Sequence, residues 1–149
     1  MFTLNAIMTT ELITLLPTAN LAEARELMHR NKIHHLPVVD DNNTLIGLVT
    51  LTNVLAATDS FLRVPDNSIH PADVGVMDSM VTDVATVDEH ASLRQAALFL
   101  EKHRIGCLPV VTDGMLKGII TETDFVAVAI NLLEQLEETE PDDEFAETA

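Results

Sequence analysis

The stretch His35-Leu36-Pro37-Val38-Val39-Asp40, followed a few residues later by Gly47-Leu48-Val49-Thr50-Leu51-Thr52-Asn53, decides how the rest of the chain reads. An aliphatic run opened by proline, a polar turn and a second aliphatic run ending in Thr and Asn describe a β-hairpin that feeds a helix N-terminus. The pattern returns as Cys107-Leu108-Pro109-Val110-Val111 and Gly118-Ile119-Ile120-Thr121-Glu122-Thr123-Asp124. Laying Ile7–Ala56 over Ser79–Ala127, with a one-residue gap near Asn43, gives 17 identities, among them Met8/Met80, Leu36/Leu108, Pro37/Pro109 and Gly47/Gly118. Chance gives only a few, so the chain is a duplicated unit.

Working outward, each copy repeats the same elements. Leu12–Leu16 and Val84–Val87 are short aliphatic runs that read as strands. Asn20 and Ser92 are N-cap residues, and apolar positions at helical spacing follow: Leu21, Ala24 and Met28 in one copy, Leu93, Ala96, Ala97 and Leu100 in the other. Arg30, Lys32, Lys102 and Arg104 close these helices, where the helix dipole favours cations. Leu36–Val39 and Leu108–Val111 are strands, Asp41-Asn42-Asn43 and Asp113-Gly114 are hairpin turns, and Leu45–Val49 and Leu116–Ile120 are the return strands. The last helix is expected over about Thr123–Leu136. The order is β-α-β-β-α, twice. One such unit leaves a face of its small sheet bare, and two packed together bury it.

The expected organisation is repeat one over residues 1–62, a linker over 63–74 rich in turn residues, repeat two over 75–136, and an acidic tail over 137–149 too poor in large apolar groups to order itself. The chain has 149 residues and a formal net charge of −16, with eight of its 24 acidic residues from Glu134 onward. Such a charge repels nucleic acid and anionic lipid alike. With no Trp or Tyr and 5 Phe, the core must be aliphatic. One cysteine, Cys107, excludes an internal disulfide and fits a reducing cytoplasm. Neither a signal-peptide pattern nor an apolar stretch of about 18 residues is found.

The doubled hairpin-and-helix motif resembles a pair of CBS domains, the family named after cystathionine β-synthase, joined as a Bateman module. The resemblance covers roughly residues 1–136. It implies an α/β (mixed) fold, with two β-α-β-β-α repeats packed through their sheets about a pseudo-two-fold axis and two clefts between them. It also implies association into homodimers and a regulatory role toward a partner protein, without catalysis. Family members hold AMP, ADP, ATP or S-adenosylmethionine in these clefts, and some hold NAD or dinucleotide messengers.

Thr121-x-x-Asp124 follows a strand and opens a helix, where backbone N–H groups favour phosphate. A carboxylate there can accept from both hydroxyls of a ribose. The same spacing is also a shortened capping box. The resemblance assigns ribose to Asp124 and phosphate to Thr121 and Thr123. Because the family builds each cleft from both copies, it adds Thr14, Leu16, Ile33, His34 and Pro37 to that site. The second site would combine Asn53, Thr50 and Thr52 with Thr86, Asp88, Ile105, Gly106 and Pro109. For Ile33, Ile105, Thr14 and Thr86, plain core packing is the rival reading. Asn53 offers one acceptor oxygen where Asp124 offers two, so the second cleft should bind less well. Family members that bind phosphate often carry a basic residue where this chain has Cys107; His35 takes that place in copy one. The shortage of cations weighs against ATP and leaves AMP, a cationic ligand such as S-adenosylmethionine, or no ligand.

Two functions follow from this reading: a non-catalytic sensor of an adenosine-containing ligand, or a structural and interaction module with empty clefts. No required cofactor and no metal site is expected, because His29, His34 and His35 lack zinc-type spacing to a thiolate or carboxylate. An enzyme finds no support, since neither a glycine-rich phosphate loop nor a nucleophile–base set is present.

Overall fold

The computed structural model describes residues 3–59 and 70–139. The elements run α1 (Leu4–Ile7), α2 (Leu21–Asn31), β1 (His35–Val39), β2 (Leu45–Thr50), α3 (Leu51–Asp59), a 3-10 turn (Pro71–Asp73), α4 (Val76–Ser79), α5 (Leu93–His103), β3 (Cys107–Thr112), β4 (Met115–Thr121) and α6 (Glu122–Thr139). The predicted caps are formed: Asn20 accepts from the Glu23 N–H (2.9 Å), and Ser92 and Gln95 make a reciprocal capping box. Both helices stop at a left-handed residue, Lys32 (φ 54°) and Arg104 (φ 52°). The final helix begins one residue before the expected start and runs three beyond Leu136. The rest of the acidic tail, residues 140–149, lies outside the described residues, as do 60–69.

Each hairpin is antiparallel, pairing Leu36 with Val49 and Leu108 with Ile120. The one-residue gap in the repeat alignment is a difference in turn. In β3–β4, Asp113 (φ 54°) and Gly114 (φ 78°) form the two-residue loop with both φ positive that suits strand twist. In β1–β2, Asp40 Oδ1 accepts from the N–H groups of Asn42 and Thr44 (2.9 Å each), and the extra residue Asn43 turns back at φ 63°.

The expected strands Leu12–Leu16 and Val84–Val87 shrink to single parallel bridges, Leu15 to Val38 and Val87 to Val110. Leu15 N–H donates to Pro37 (2.9 Å) and Val39 N–H to Leu15 (3.0 Å). The next parallel bonds would need the amides of Pro37 on one side and Pro17 on the other, and neither exists. In copy two, Pro109 blocks the same step, and the Glu89 N–H donates to the Thr112 hydroxyl (3.3 Å).

The units also exchange segments. Thr9, at the start of copy one, pairs with Ile119 on β4 of copy two; Val81, at the start of copy two, pairs with Leu48 on β2 of copy one. The apolar residues follow the backbone. Leu4 is fully buried in the second core with Leu93, Ala96, Leu100 and Leu108, while Val76 is fully buried in the first with Leu21, Ala24, Leu36 and Val54. Leu48, Ile119 and Cys107 form a third cluster, with Leu12 and Val84 packed against it. The hairpin tips join as well: Asn43 Nδ2 donates to the Leu116 carbonyl (2.8 Å), and Leu116 N–H to the Asn43 carbonyl (3.0 Å).

Candidate functional site

A cavity of about 440 Å3 is lined by residues from both units. From copy two come Thr121, Glu122, Thr123 and Asp124 at the start of α6, with Ile119 and Gly106. From copy one come Ile33, His34 and Pro37, and also Thr9, Glu11, Leu12, Ile13, Lys32 and His35. The strand-to-helix junction of one unit therefore faces the helix-to-strand junction of the other. Six of the eight residues expected for the better site line it. Thr14 and Leu16 do not: Thr14 is half-buried, and Leu16 is 53% exposed. Leu12 and Ile13 line the cavity instead.

The second set is not gathered around this cavity, except for Gly106. Thr86 and Asp88 are exposed, and Asp88 accepts from the His90 N–H (2.8 Å) and the Thr112 hydroxyl (3.2 Å), holding a turn. Ile105 packs on the second core and Pro109 is fully buried. Thr52 is exposed on α3. Gly106 carries no side chain, and its α-carbon faces His35: a methyl placed there would meet Nε2 at 3.4 Å.

Both Thr-x-x-Asx motifs are capping boxes. Asp124 Oδ2 accepts from the Thr121 N–H (2.8 Å) and hydroxyl (3.3 Å), and the Asp124 N–H donates back to that hydroxyl (3.4 Å). Asn53 Oδ1 does the same for Thr50 (2.9 and 2.8 Å), with a 3.1 Å return bond. The Glu122 N–H donates to the Gly106 carbonyl (3.1 Å). The amides of Thr121, Glu122 and Asp124 thus have partners inside the protein, as the capping-box reading of this spacing requires. What differs between the copies is the remainder. Asp124 keeps a second carboxylate oxygen, whereas the single oxygen of Asn53 is spent on its cap.

Charge near the cavity is mixed. Lys32 stands against Glu11, Glu122 and Asp124. Burial, and secondarily the neighbouring His34, hold the His35 pKa below its ordinary 6.5, with Glu122 opposing. Cys107 is 4% exposed in the inter-unit cluster, and burial pushes its thiol up to about 12. It is a packing residue with no thiolate to offer. No group of three or more His, Cys, Asp or Glu suited to a metal ion occurs among the described residues. No helix among them is long and apolar enough to cross a membrane. The residues missed by sequence reasoning, Glu11, Lys32 and Glu122, are polar neighbours of the motifs, and nothing in their local pattern marks them.

Comparison with known proteins matches the arrangement. A solved Vibrio cholerae protein assigned to acetoin utilization superimposes with a TM-score of 0.79 at 42% identity, covering 95% of this chain and 99% of that one. CBSX2, solved in complex with AMP, gives 0.75 at 31% identity over 89% and 98%. A CBS domain-containing protein of Dictyostelium discoideum is 31% identical over 138 residues, 86% of this chain and 91% of its own length. The first curated relatives are longer; this chain spans 20% of a homoserine O-acetyltransferase of Methanocorpusculum labreanum and 40% of a Methanocaldococcus jannaschii protein. The CBS domain model matches twice, over residues 4–60 and 72–131, and the chain belongs to the CBS-domain family as a tandem pair.

Proposed function

We propose that this CBS pair is a non-catalytic sensor that binds an adenosine-containing ligand in the cleft around Asp124 and signals to a partner protein. The observation that carries this reading is the single cavity in which Asp124, Thr121 and Thr123 of one unit meet Ile33, His34 and Pro37 of the other. A relative of 31% identity crystallised with AMP supports the ligand class. Asp124 takes the ribose hydroxyls through the carboxylate oxygen that its cap leaves over, while Ile33 and Pro37 give the base an apolar wall.

The lining favours a small or cationic 5′ substituent. Three carboxylates face one lysine, and the helix amides are largely committed, so a triphosphate meets more repulsion than AMP or S-adenosylmethionine. Around Asn53 a purely structural role is the better reading, because its one acceptor oxygen already caps α3.

A thermal-shift series with AMP, ADP, ATP and S-adenosylmethionine tests the proposal. A ligand at about 100 times its dissociation constant adds about 2.7 kcal/mol of stability. No shift with any of the four removes the adenosine reading and leaves the interaction-module reading. Self-association is part of the proposal: Val126, Ile130 and Leu133 form an exposed apolar stripe at helical spacing on α6, as a homodimer face requires. Light scattering on a Leu133→Glu variant reads this out, with a shift from dimer to monomer expected.

A further inference from the structure

Once the base has its apolar wall and the ribose has Asp124, the cleft lining left for a 5′ substituent is charged: Glu11, Lys32 and Glu122, beside His34 and His35. Two of these charges recur in the other unit. The repeat correspondence sets Glu11 against Asp83 and Lys32 against Arg104, and the two basic residues hold the same left-handed position after their helices (φ 54° and 52°). Being opposite in sign, Glu11 and Lys32 offset each other. Glu122 is different, because its counterpart is Leu51. Its N–H donates to the Gly106 carbonyl (3.1 Å), just as the Leu51 N–H donates to the His34 carbonyl (2.9 Å). The backbone is therefore the same in both units and only the side chain departs. An acid in a first turn also suits the helix dipole, but Asp124 already sits in that turn, and α3 forms with no acid in its own. The Glu122 carboxylate has no hydrogen bond or ion pair among the described residues. Its charge nonetheless reaches His35 on the other unit's wall, where it opposes the lowering of the His35 pKa by burial and by His34.

We propose that Glu122 is the specificity-determining residue of the cleft, an uncompensated negative charge that selects adenosine ligands with a cationic 5′ group over those with a 5′ phosphate. The inference rests on the adenosine reading of this cleft and adds to it the sign of the charge that the cleft prefers. A 5′ phosphate carries close to two negative charges near neutral pH. S-adenosylmethionine sets a sulfonium and an ammonium against one carboxylate. The first is repelled by Glu122 and the second attracted, while adenosine, with a neutral 5′ hydroxyl, feels neither. Glu122 is exposed, so water and salt screen its field, and the discrimination is several-fold for each ligand.

Isothermal titration of the full-length protein at about pH 7.5 with adenosine, AMP and S-adenosylmethionine tests this, on wild type, Glu122→Gln and Glu122→Leu. Wild type is expected to bind S-adenosylmethionine more tightly than AMP. Each variant is expected to tighten AMP about fivefold and to weaken S-adenosylmethionine about fivefold, with adenosine unchanged. Leucine is the residue that the first unit carries at this place, so the second variant introduces a side chain the fold accepts. A change of the same sign and size for all three ligands marks a structural effect and overturns the proposal. An unchanged ratio of the AMP and S-adenosylmethionine dissociation constants also overturns it, as does tighter binding of AMP by wild type; in each of these cases the adenosine reading stands. A protein that binds none of the three overturns both.

Discussion

Asp124 holds two jobs that one substitution can separate. Its Oδ2 caps α6, while its other oxygen has no hydrogen bond among the described residues, and the residue lines the cleft. Asn53 already shows that an amide can make the same cap. Asp124→Asn is therefore expected to keep the melting temperature close to wild type while abolishing the ligand-induced shift. Asp124→Ala loses both, with about 1 kcal/mol of stability gone with the cap. A melt with and without AMP distinguishes the two, and an Asp124→Asn variant that still responds fully to AMP defeats the ribose assignment. His35 gives a second prediction at this scale. Its folded-state pKa lies below the unfolded value of 6.5, so the unfolded chain takes up the proton first as pH falls. The stabilisation is complete above that value and is lost as pH drops through it toward the lowered folded-state pKa. Melting from about pH 7.5 to about 5.5 should therefore show a steeper decline for wild type than for His35→Gln. Equal slopes refute it. The contrast between Asp124 and Asn53 was legible in the sequence because it is a contrast of acceptor count. The fate of the neighbouring amides was not, since a helix N-terminus looks the same in sequence whether its donors point at a ligand or at a carbonyl such as that of Gly106.

At the scale of elements, the hairpins, the caps and the difference in turn length were all readable from local chemistry. The first strand of each unit was not. Its aliphatic run is real, but pairing depends on which partner amides exist, and prolines at 17, 37 and 109 remove them. In the same stretch, Leu12 and Ile13 line the cleft where Thr14 and Leu16 were expected. The glycines of β2 and β4 have a related cause. A methyl on Gly118 would meet Met8 Sδ at 2.7 Å and the Thr9 carbonyl oxygen at 3.0 Å; on Gly47 the three nearest atoms all belong to the side chain of Met80. These are the exchanged segments, so the identities Met8/Met80 and Gly47/Gly118 are two sides of one contact. A flexible thioether yields more cheaply than backbone. Gly118→Ala should cost about 1–3 kcal/mol and Gly47→Ala less. Chemical denaturation of the two variants checks the order, and a larger loss for Gly47→Ala refutes the argument.

For the whole molecule, the crossing of Leu4–Thr9 and Val76–Val81 governs cooperativity. Each core contains a fully buried side chain delivered by the other half, Leu4 in the second and Val76 in the first. Truncating such a residue costs about 2–5 kcal/mol, a large share of a small domain's stability. Residues 1–69 and 70–149 made as separate chains are expected to be unfolded alone by circular dichroism and to regain structure when mixed. Two independently folded halves, with melting temperatures near that of the intact chain, refute this. The duplication itself was plain in the sequence, but the crossing was not, because a segment that swaps partners carries the same residues as one that stays home.

The same crossing bears on how such a chain comes to exist. A polypeptide with one copy of the unit, and the same habit of sending its opening segment onto a neighbouring hairpin, is complete only when a second molecule returns the gesture. Its folding is then second order in concentration and fails on dilution. Joining the two copies in one chain converts that encounter into an intramolecular closure at a fixed effective concentration. It also frees the copies to diverge: once each is assured of its own partner, one keeps a carboxylate at the helix start while the other gives it up, as Asp124 and Asn53 have done.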